Sequence, residues 1–339
     1  MRFSASAFAP ACTSPNHCEA DPLRLYPDAS DGEAAVTRYR VFPGMELDYR
    51  DVHARACREL RDGSGERLEI HHCLEGRVEY RQNGRYFYLS PGDLAVARTS
   101  SLPPDSRFPT GHYHGITVTI DPAAAPECLS CILSDVEVRP ATLMEKLCPG
   151  RTVFTARSSR RVKHVFSELY AVPEDIRKGY FKVKLLELLL FLSTLSLKDG
   201  QTPHGCTAAQ VSLAEQVKAR LLAEPDRTLT LKSLSQQFNV SEAQIKSSFT
   251  GVYGMSPASY ARSQRMHGAA ALLRETDRTV LDIACQFGYD NASKFARAFR
   301  DVIGVSPREY RAGAEYDSCA PQLGEKPVSL SDADVERRI

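Results

Sequence analysis

The feature that most constrains this chain is an internal repeat. Leu231, Leu234 and Phe238 recur as Val280, Ile283 and Phe287 at an offset of 49. Ile245, Phe249, Gly254, Ser256, Pro257 and Tyr260 recur as Phe295, Phe299, Gly304, Ser306, Pro307 and Tyr310 at an offset of 50. Both copies therefore close on Gly-x-Ser-Pro-x-x-Tyr, and the second holds one extra residue, which the spacing puts between Asp290 and Phe295. A fixed self-similarity of this kind marks a duplicated supersecondary unit. Each copy reads helix, tight turn, helix. Thr230 caps a helix over 231–238, and Ser241 caps a second one to about Val252. In the second copy Thr279 caps 280–287, and Asp290 is expected to cap the helix that runs to about Ile303. Two short helices joined by a three- or four-residue turn are a helix-turn-helix unit. The second helix of such a unit enters the major groove of DNA.

The outward residues of the two second helices differ. The later one offers Asn291, Ser293, Lys294, Arg297 and Arg300 around an apolar stripe of Phe295, Ala298 and Phe299. The earlier one offers Glu242, Gln244, Lys246 and Ser247. Arg and Lys suit guanine edges and phosphates, whereas Ser, Asn and Gln suit several bases. The whole chain has a net charge of +1, which singles out no partner. Residues 211–313 hold 14 Lys and Arg against 10 Asp and Glu, a net of +4 that serves phosphate contacts if it lies on one face.

The rest of the chain divides into segments. Residues 1–35 read as a loosely ordered arm rich in Ala, Pro, Ser and Asp. Over 36–150 short β-branched and aromatic runs alternate with turn signals, which predicts a β-sandwich or barrel. The runs include Leu68–Ile70, Arg77–Tyr80, Tyr86–Leu89, Leu94–Ala97 and Ile116–Ile120, and Asn83-Gly84 marks a hairpin. Residues 155–198 read as a pair of helices, the second with eight leucines. A helix so apolar needs cover on more than one side. Its own barrel and a second copy of the chain are the two candidate partners. A linker over 199–210 leads to 211–312, and 313–339 form a polar tail. No apolar run is long enough to cross a bilayer. The N-terminus lacks the apolar core of a secretory signal, so a cytoplasmic location with reduced cysteines is expected.

The motifs of residues 211–312 resemble the C-terminal DNA-binding domain of AraC/XylS transcriptional regulators. The residues concerned are Leu234-Ser235, Phe238-Asn239-Val240-Ser241, Phe249 and Gly254-Met255-Ser256-Pro257 with Tyr260. They continue through Arg265-Met266, Ala269 and Leu272-Leu273, then Val280, Ile283-Ala284 and Phe287-Gly288-Tyr289. The closing set is Ser293-Lys294-Phe295, Phe299-Arg300, Gly304-Val305-Ser306-Pro307 and Tyr310-Arg311. The resemblance implies two helix-turn-helix units on one connecting helix, reading adjacent segments of double-stranded DNA. By family position, base contacts come from Ala243, Gln244, Lys246 and Ser247, and from Ala292, Ser293, Lys294 and Arg297. Ser247 stands where many members carry a base-reading Arg, which shifts the expected weight of recognition to the second unit.

The stretch Glu75-Gly76 through Gly84 to Leu89-Ser90-Pro91-Gly92-Asp93 resembles the cupin-type barrel common in these regulators. That resemblance implies an α+β multidomain chain whose N-terminal cupin-like β-barrel binds a small-molecule effector. His112 and His114 are the candidate effector contacts, since residues two apart on a strand share a face. His71 and His72 cannot both face inward on the same rule. No metal site and no cofactor are expected, and Cys128-x-x-Cys131 lacks the further ligands of a zinc site. The expectation is a sequence-specific transcriptional regulator, not an enzyme, with RNA polymerase and a second copy of itself as further candidate partners. The rival reading is a cupin-type metalloenzyme with a helical appendage, with metal held by His112 or His114.

Overall fold

The structure, a computed structural model, describes residues 22–59, 61, 65–125, 138–150, 152–157, 160–197, 200, 205–223 and 229–313. The arm up to residue 21, the Cys128–Cys131 pair, residues 199 and 201–204 of the expected linker and the tail from residue 314 lie outside them. The architecture is mixed α+β, with a strand-rich N-terminal part and a helical C-terminal part. In chain order the strands are β1 (Leu23–Leu25), β2 (Glu33–Phe42), β3 (Met45–His53), β4 (Ala56–Arg58), β5 (Leu68–Gly76) and β6 (Val78–Gln82). Then come β7 (Arg85–Leu89), β8 (Leu94–Arg98), β9 (Asp105–Arg107), β10 (Tyr113–Ile120), α1 (Pro140–Leu147), β11 (Phe154–Ala156), α2 (Arg160–Leu169) and α3 (Arg177–Thr194). The C-terminal helices are α4 (Ala208–Ala223), α5 (Leu231–Phe238), α6 (Glu242–Tyr253), α7 (Pro257–Glu275), α8 (Val280–Gln286), α9 (Ala292–Ile303) and α10 (Pro307–Arg311).

Contacts divide the chain into two compact units. Of the described residues, 22–72, 94–106 and 114–200 form the first, and 73–93, 107–113 and 205–313 form the second. The main sheet has seven strands in the order β1-β2-β3-β10-β5-β8-β11, and two-stranded pairs β4-β9 and β6-β7 stand apart from it. This ladder has two ends, so no closed ring of strands is present among the described residues. β1 and the start of β2 fall inside the segment expected to be a loose arm.

The first unit is built on a sheet covered on both sides. One face carries Leu47, Ile70, Val96, Ile116 and Val118, which share a core with Phe166, Phe181, Leu185, Leu188, Leu189 and Leu192. The leucine-rich helix α3 thus finds its first partner in its own sheet. Lys184 is buried beside it and neutralised by Glu168 and by Glu187 at 2.8 Å. The double cover explains the histidines. His71 and His72 point to opposite faces, yet both are buried. His72 stacks on Phe166 with the ring centroids 4.1 Å apart, while His71 meets Thr117 Oγ1 at 3.2 Å on the other side.

The second unit holds the repeat and two separate apolar cores. Leu234, Ile245, Phe249 and Val252 belong to one, with Val211, Ala214 and Val217 of α4. Ile283, Phe295, Phe299 and Ile303 belong to the other, with Met266, Ala269 and Leu273 of α7. Tyr260 and Ala261, at the start of α7, pack on the first core. α7 therefore spans both cores, over about 28 Å at 1.5 Å per residue. α4 begins inside the span expected to be a linker, where Thr207 and Gln210 exchange capping hydrogen bonds of 2.9 and 3.2 Å. The Asn83-Gly84 hairpin joins β6 to β7, with positive φ at both residues (50° and 71°), and Tyr86 and Tyr88 at its far end pack on the first core.

Candidate functional site

The two helix-turn-helix units are built on one plan. Thr230 and Thr279 both close capping boxes, with Ser233 and Asp282 respectively, so the first helix of each copy starts at a defined residue. Gly254 and Gly304 end the second helices at φ of 77° and 87°, a left-handed conformation that a side chain would strain. Ser256 and Ser306 then cap the next helix, with Pro257 and Pro307 at its first position. Even the ring packing repeats. Phe249 meets Tyr260 at 5.6 Å and 68°, and Phe299 meets Tyr310 at 5.6 Å and 72°.

One expectation needs correction. The cap of α9 is Asn291, not Asp290: the Asn291 side chain accepts from the backbone N–H of Ser293 at 2.7 Å and of Lys294 at 3.4 Å. The extra residue of the second copy consequently lies in the turn before Asn291. Asp290 and Asn291 are both good capping residues, so sequence alone is ambiguous by one position. Asn291 now aligns with Ser241, which caps α6 by accepting from Gln244 N–H at 3.2 Å.

With that register the two second helices expose matching positions. On α6, Glu242, Gln244, Lys246 and Ser247 are exposed, whereas Ile245, Ser248 and Phe249 are buried. On α9, Ser293, Lys294, Arg297 and Arg300 are exposed, whereas Phe295, Ala298 and Phe299 are buried. The structure thus brings Ser293, Lys294 and Arg297 together on one solvent-facing strip, with Arg300 in the last turn. It places Gln244, Lys246 and Ser247 on the corresponding strip of α6. The Ser247 hydroxyl already donates to the Gln244 carbonyl at 3.1 Å. Arg300 near the helix C-terminus also favours the helix dipole.

The candidate effector residues do not pair. His114 belongs to the first unit and is half-buried on β10, whereas His112 is exposed, precedes the strand and belongs to the second unit. The first unit instead shows a polar layer that the sequence reading missed. It lies on the sheet face opposite α2 and α3. Arg38 binds Asp48 through two hydrogen bonds of 2.9 Å. Arg50 holds Glu59 at 2.8 Å, Arg61 holds Glu69 at 3.0 Å, and the Ser106 hydroxyl donates to Glu59. His71 Nε2 lies 3.0 Å from Glu69 Oε2. Burial alone would raise the pKa of Glu69, but His71, Arg61 and Arg50 override it and bring the value down to about 2. Glu59 is held below its ordinary range against the same burial by Arg50 and Ser106. The usable signal was period two: 36, 38 on β2, 48, 50 on β3 and 69, 71 on β5 mix charge with apolar residues on one face. A cavity of about 810 Å³ opens elsewhere in this unit, lined by Tyr39, Phe42, Arg67, Arg177, Lys182 and others. No helix among the described residues is long and apolar enough to cross a membrane.

Known proteins resemble this chain over its C-terminal part and, in some cases, over most of its length. A helix-turn-helix domain family matches residues 234–313. The HTH-type transcriptional regulator YdiP of Escherichia coli strain K12 is 35% identical over 275 residues, covering 77% of this chain and 88% of that protein. The arabinose operon regulatory protein of Salmonella typhimurium is 24% identical over 250 residues, 71% of this chain and 82% of its own length. An AraC-like transcription regulator of Streptomyces lividans is 30% identical over 130 residues, which span 43% of that relative. Among solved structures, an AraC family regulator from Rhodopseudomonas palustris is 30% identical over 31% of this chain and 98% of its own, with a TM-score of 0.29. With a duplicated, capped helix-turn-helix and relatives matched along most of its length, the chain belongs to the AraC family of DNA-binding transcriptional regulators and is not an enzyme.

Proposed function

We propose that this protein reads a specific double-stranded DNA sequence under control of a small molecule bound by its N-terminal part. The observation that carries the DNA reading is the matched exposure of α6 and α9 over two intact cores. Gln244, Lys246 and Ser247 face one groove segment, and Ser293, Lys294, Arg297 and Arg300 face the next. Asn291 contributes by fixing the start of α9 and by a side-chain amide at the same end. α7 carries both units along its whole length of about 28 Å, which supports their engaging segments one helical turn apart, roughly 34 Å. Arg297 and Lys294 supply the strongest contacts, so the second unit carries most of the sequence preference.

For the effector, the cavity of about 810 Å³ has the size of a small-molecule site. Neither His112 nor His114 lines it, so each stands as a separate candidate contact outside that cavity. The cupin-like reading of 36–150 makes this segment the sensor, with 155–198 as the helical pair that seats a second copy and 211–312, extended back to α4, as the DNA-binding part. The β6-β7 hairpin supports coupling between sensing and reading. It continues directly from β5, and Arg77, buried beneath the Tyr88 ring at 5.5 Å, donates to the Thr250 carbonyl of α6 at 3.5 Å. A shift of the hairpin would thus act on a recognition helix. The location is cytoplasmic, where DNA and RNA polymerase are present.

The test is selection of duplex DNA from a random pool by the full chain, titrated against salt. The expected result is one enriched motif with two half-segments about 10 base pairs apart, and a log–log salt slope of several units. Equal affinity for all sequences would refute the reading.

A further inference from the structure

On the helix-covered face of the first unit's sheet, two imidazoles and a carboxylate converge. Asp51 and His53 are two residues apart on β3 and so share a face. β10 is the next strand of the sheet, and His114 stands on it. Asp51 Oδ1 lies 3.0 Å from His53 Nε2 and 3.5 Å from His114 Nδ1. The two rings meet edge to face with centroids 5.2 Å apart. One ligand atom from each residue lies within 4.8 Å of the other two. Neither Asp51 nor His53 entered the sequence reading, because they are far from His114 in the chain.

We propose that Asp51, His53 and His114 bind a divalent transition-metal ion of the zinc type. Ligands bonded to zinc at roughly 2.0–2.2 Å stand about 3.3–3.5 Å apart in a tetrahedral site. The Asp51–His114 separation of 3.5 Å already matches that spacing, the 3.0 Å between Asp51 and His53 falls a little short of it, and small side-chain rotations adjust the set. His53 and Asp51 are 61% and 58% exposed, so their side chains have room to turn toward solvent, while the strands hold the backbone in register. Two imidazoles with one carboxylate select zinc, nickel, copper or iron over calcium and magnesium, which want all-oxygen sites. The strand register also sets Glu33 of β2 opposite His53, which places a further carboxylate beside the ion. Three protein ligands leave at least one position for water or for a donor atom of a bound molecule. The site lies on the face opposite the Arg38–Asp48 layer, so it is separate from that network. It rests on the regulatory reading only in giving His114 a ligand, and metal binding is measured without DNA.

The experiment uses the full chain, stripped by chelator and titrated with Zn²⁺ alone, then with Co²⁺ as a spectroscopic probe. The expected result is saturation at one ion per chain through this site. His53→Gln and Asp51→Asn should each weaken binding by about tenfold or more, since even partners outside the coordination sphere cost that much. Both positions are exposed, so folding should persist, and circular dichroism of each variant verifies it. The Co²⁺ spectrum should show nitrogen and oxygen ligation. No saturable binding, unchanged affinity in both variants, or a thiolate charge-transfer band would each overturn the proposal. A change in DNA affinity on adding Zn²⁺ is a separate readout, and its absence would bear on the effector reading alone.

Discussion

The two helix-turn-helix units share a skeleton and differ in what they present. Their caps, glycine ends, Ser-Pro starts and Phe–Tyr contacts coincide almost residue for residue. Their outward strips do not: α6 shows Gln244, Lys246 and Ser247, and α9 shows Ser293, Lys294, Arg297 and Arg300. Duplication thus preserved what holds each unit and left the outward strips free to differ. Buried positions answer to packing, which both copies need equally, whereas exposed positions cost little stability to change. The difference also reaches inside. Where the second copy buries Ala298, the first buries Ser248, whose hydroxyl has no hydrogen-bond partner among the described residues.

The largest expected effect tests whether the two cores are independent. Phe249 and Phe299 are fully buried in separate clusters. Phe299→Ala and Phe249→Ala should each cost about 3–5 kcal/mol. Hydrogen exchange should show the loss confined to α8–α10 for Phe299→Ala and to α4–α6 for Phe249→Ala. Equal loss of protection in both units would mean that the repeat folds as one core.

Next comes the exposed strip. Arg297→Ala should weaken binding to the selected DNA by about 1–3 kcal/mol, the worth of a bidentate base contact. Ser247→Ala should cost under about 0.5 kcal/mol, in line with surface substitutions. Titration by fluorescence anisotropy on selected and scrambled duplexes decides between the two outcomes. A Ser247 effect as large as that of Arg297 would remove the asymmetry between the units.

A pH scan sharpens the contrast between the sheet and the recognition helices. Burial against Phe166 lowers the His72 pKa to about 3. The unfolded chain takes up that proton near pH 6.5 and the folded one only near pH 3. Between those values the unfolded state binds more protons, so stability falls as pH falls, by about 1.4 kcal/mol per pH unit. Glu69 adds a second acid-side loss between roughly pH 4.5 and 2, as its depressed pKa is reached. Denaturant titrations at pH 7.5 and 5.5 should show the first loss, and His72→Leu should flatten it. Neither α6 nor α9 contains a histidine, so the DNA contacts proposed for them are expected to carry no such dependence.

The smallest expected effect is a gain. Ser248→Ala copies the second unit into the first and removes an unsatisfied buried hydroxyl. It should stabilise the chain by about 1 kcal/mol. A destabilisation in a denaturant titration would show that the hydroxyl has a partner, such as a buried water.

How much of this was legible in the sequence follows from the same physics. The repeat was readable because Gly254, Gly304, Pro257 and Pro307 punctuate the chain where only those residues fit well. The cap at Asn291 was misplaced by one because Asp290 caps equally well on paper. The strands at Leu68, Tyr86 and Ile116 were legible as β-branched and aromatic runs between turn signals, but the Arg38–Asp48 layer was not. A charge on a strand reads as solvent-facing until its partner ten residues away is seen to neutralise it. His114 was singled out with His112, two positions along the chain, while its neighbours Asp51 and His53 come from another strand. Contacts set by sheet order rather than by sequence distance leave no local signal.

The central claim is that the second unit supplies most of the sequence reading. The most direct measurement runs DNA selection on the full chain and on its Arg297→Ala variant side by side. The account predicts that the variant loses information in one half-segment of the motif and keeps the other. Equal loss across both halves, or an unchanged motif, would contradict it.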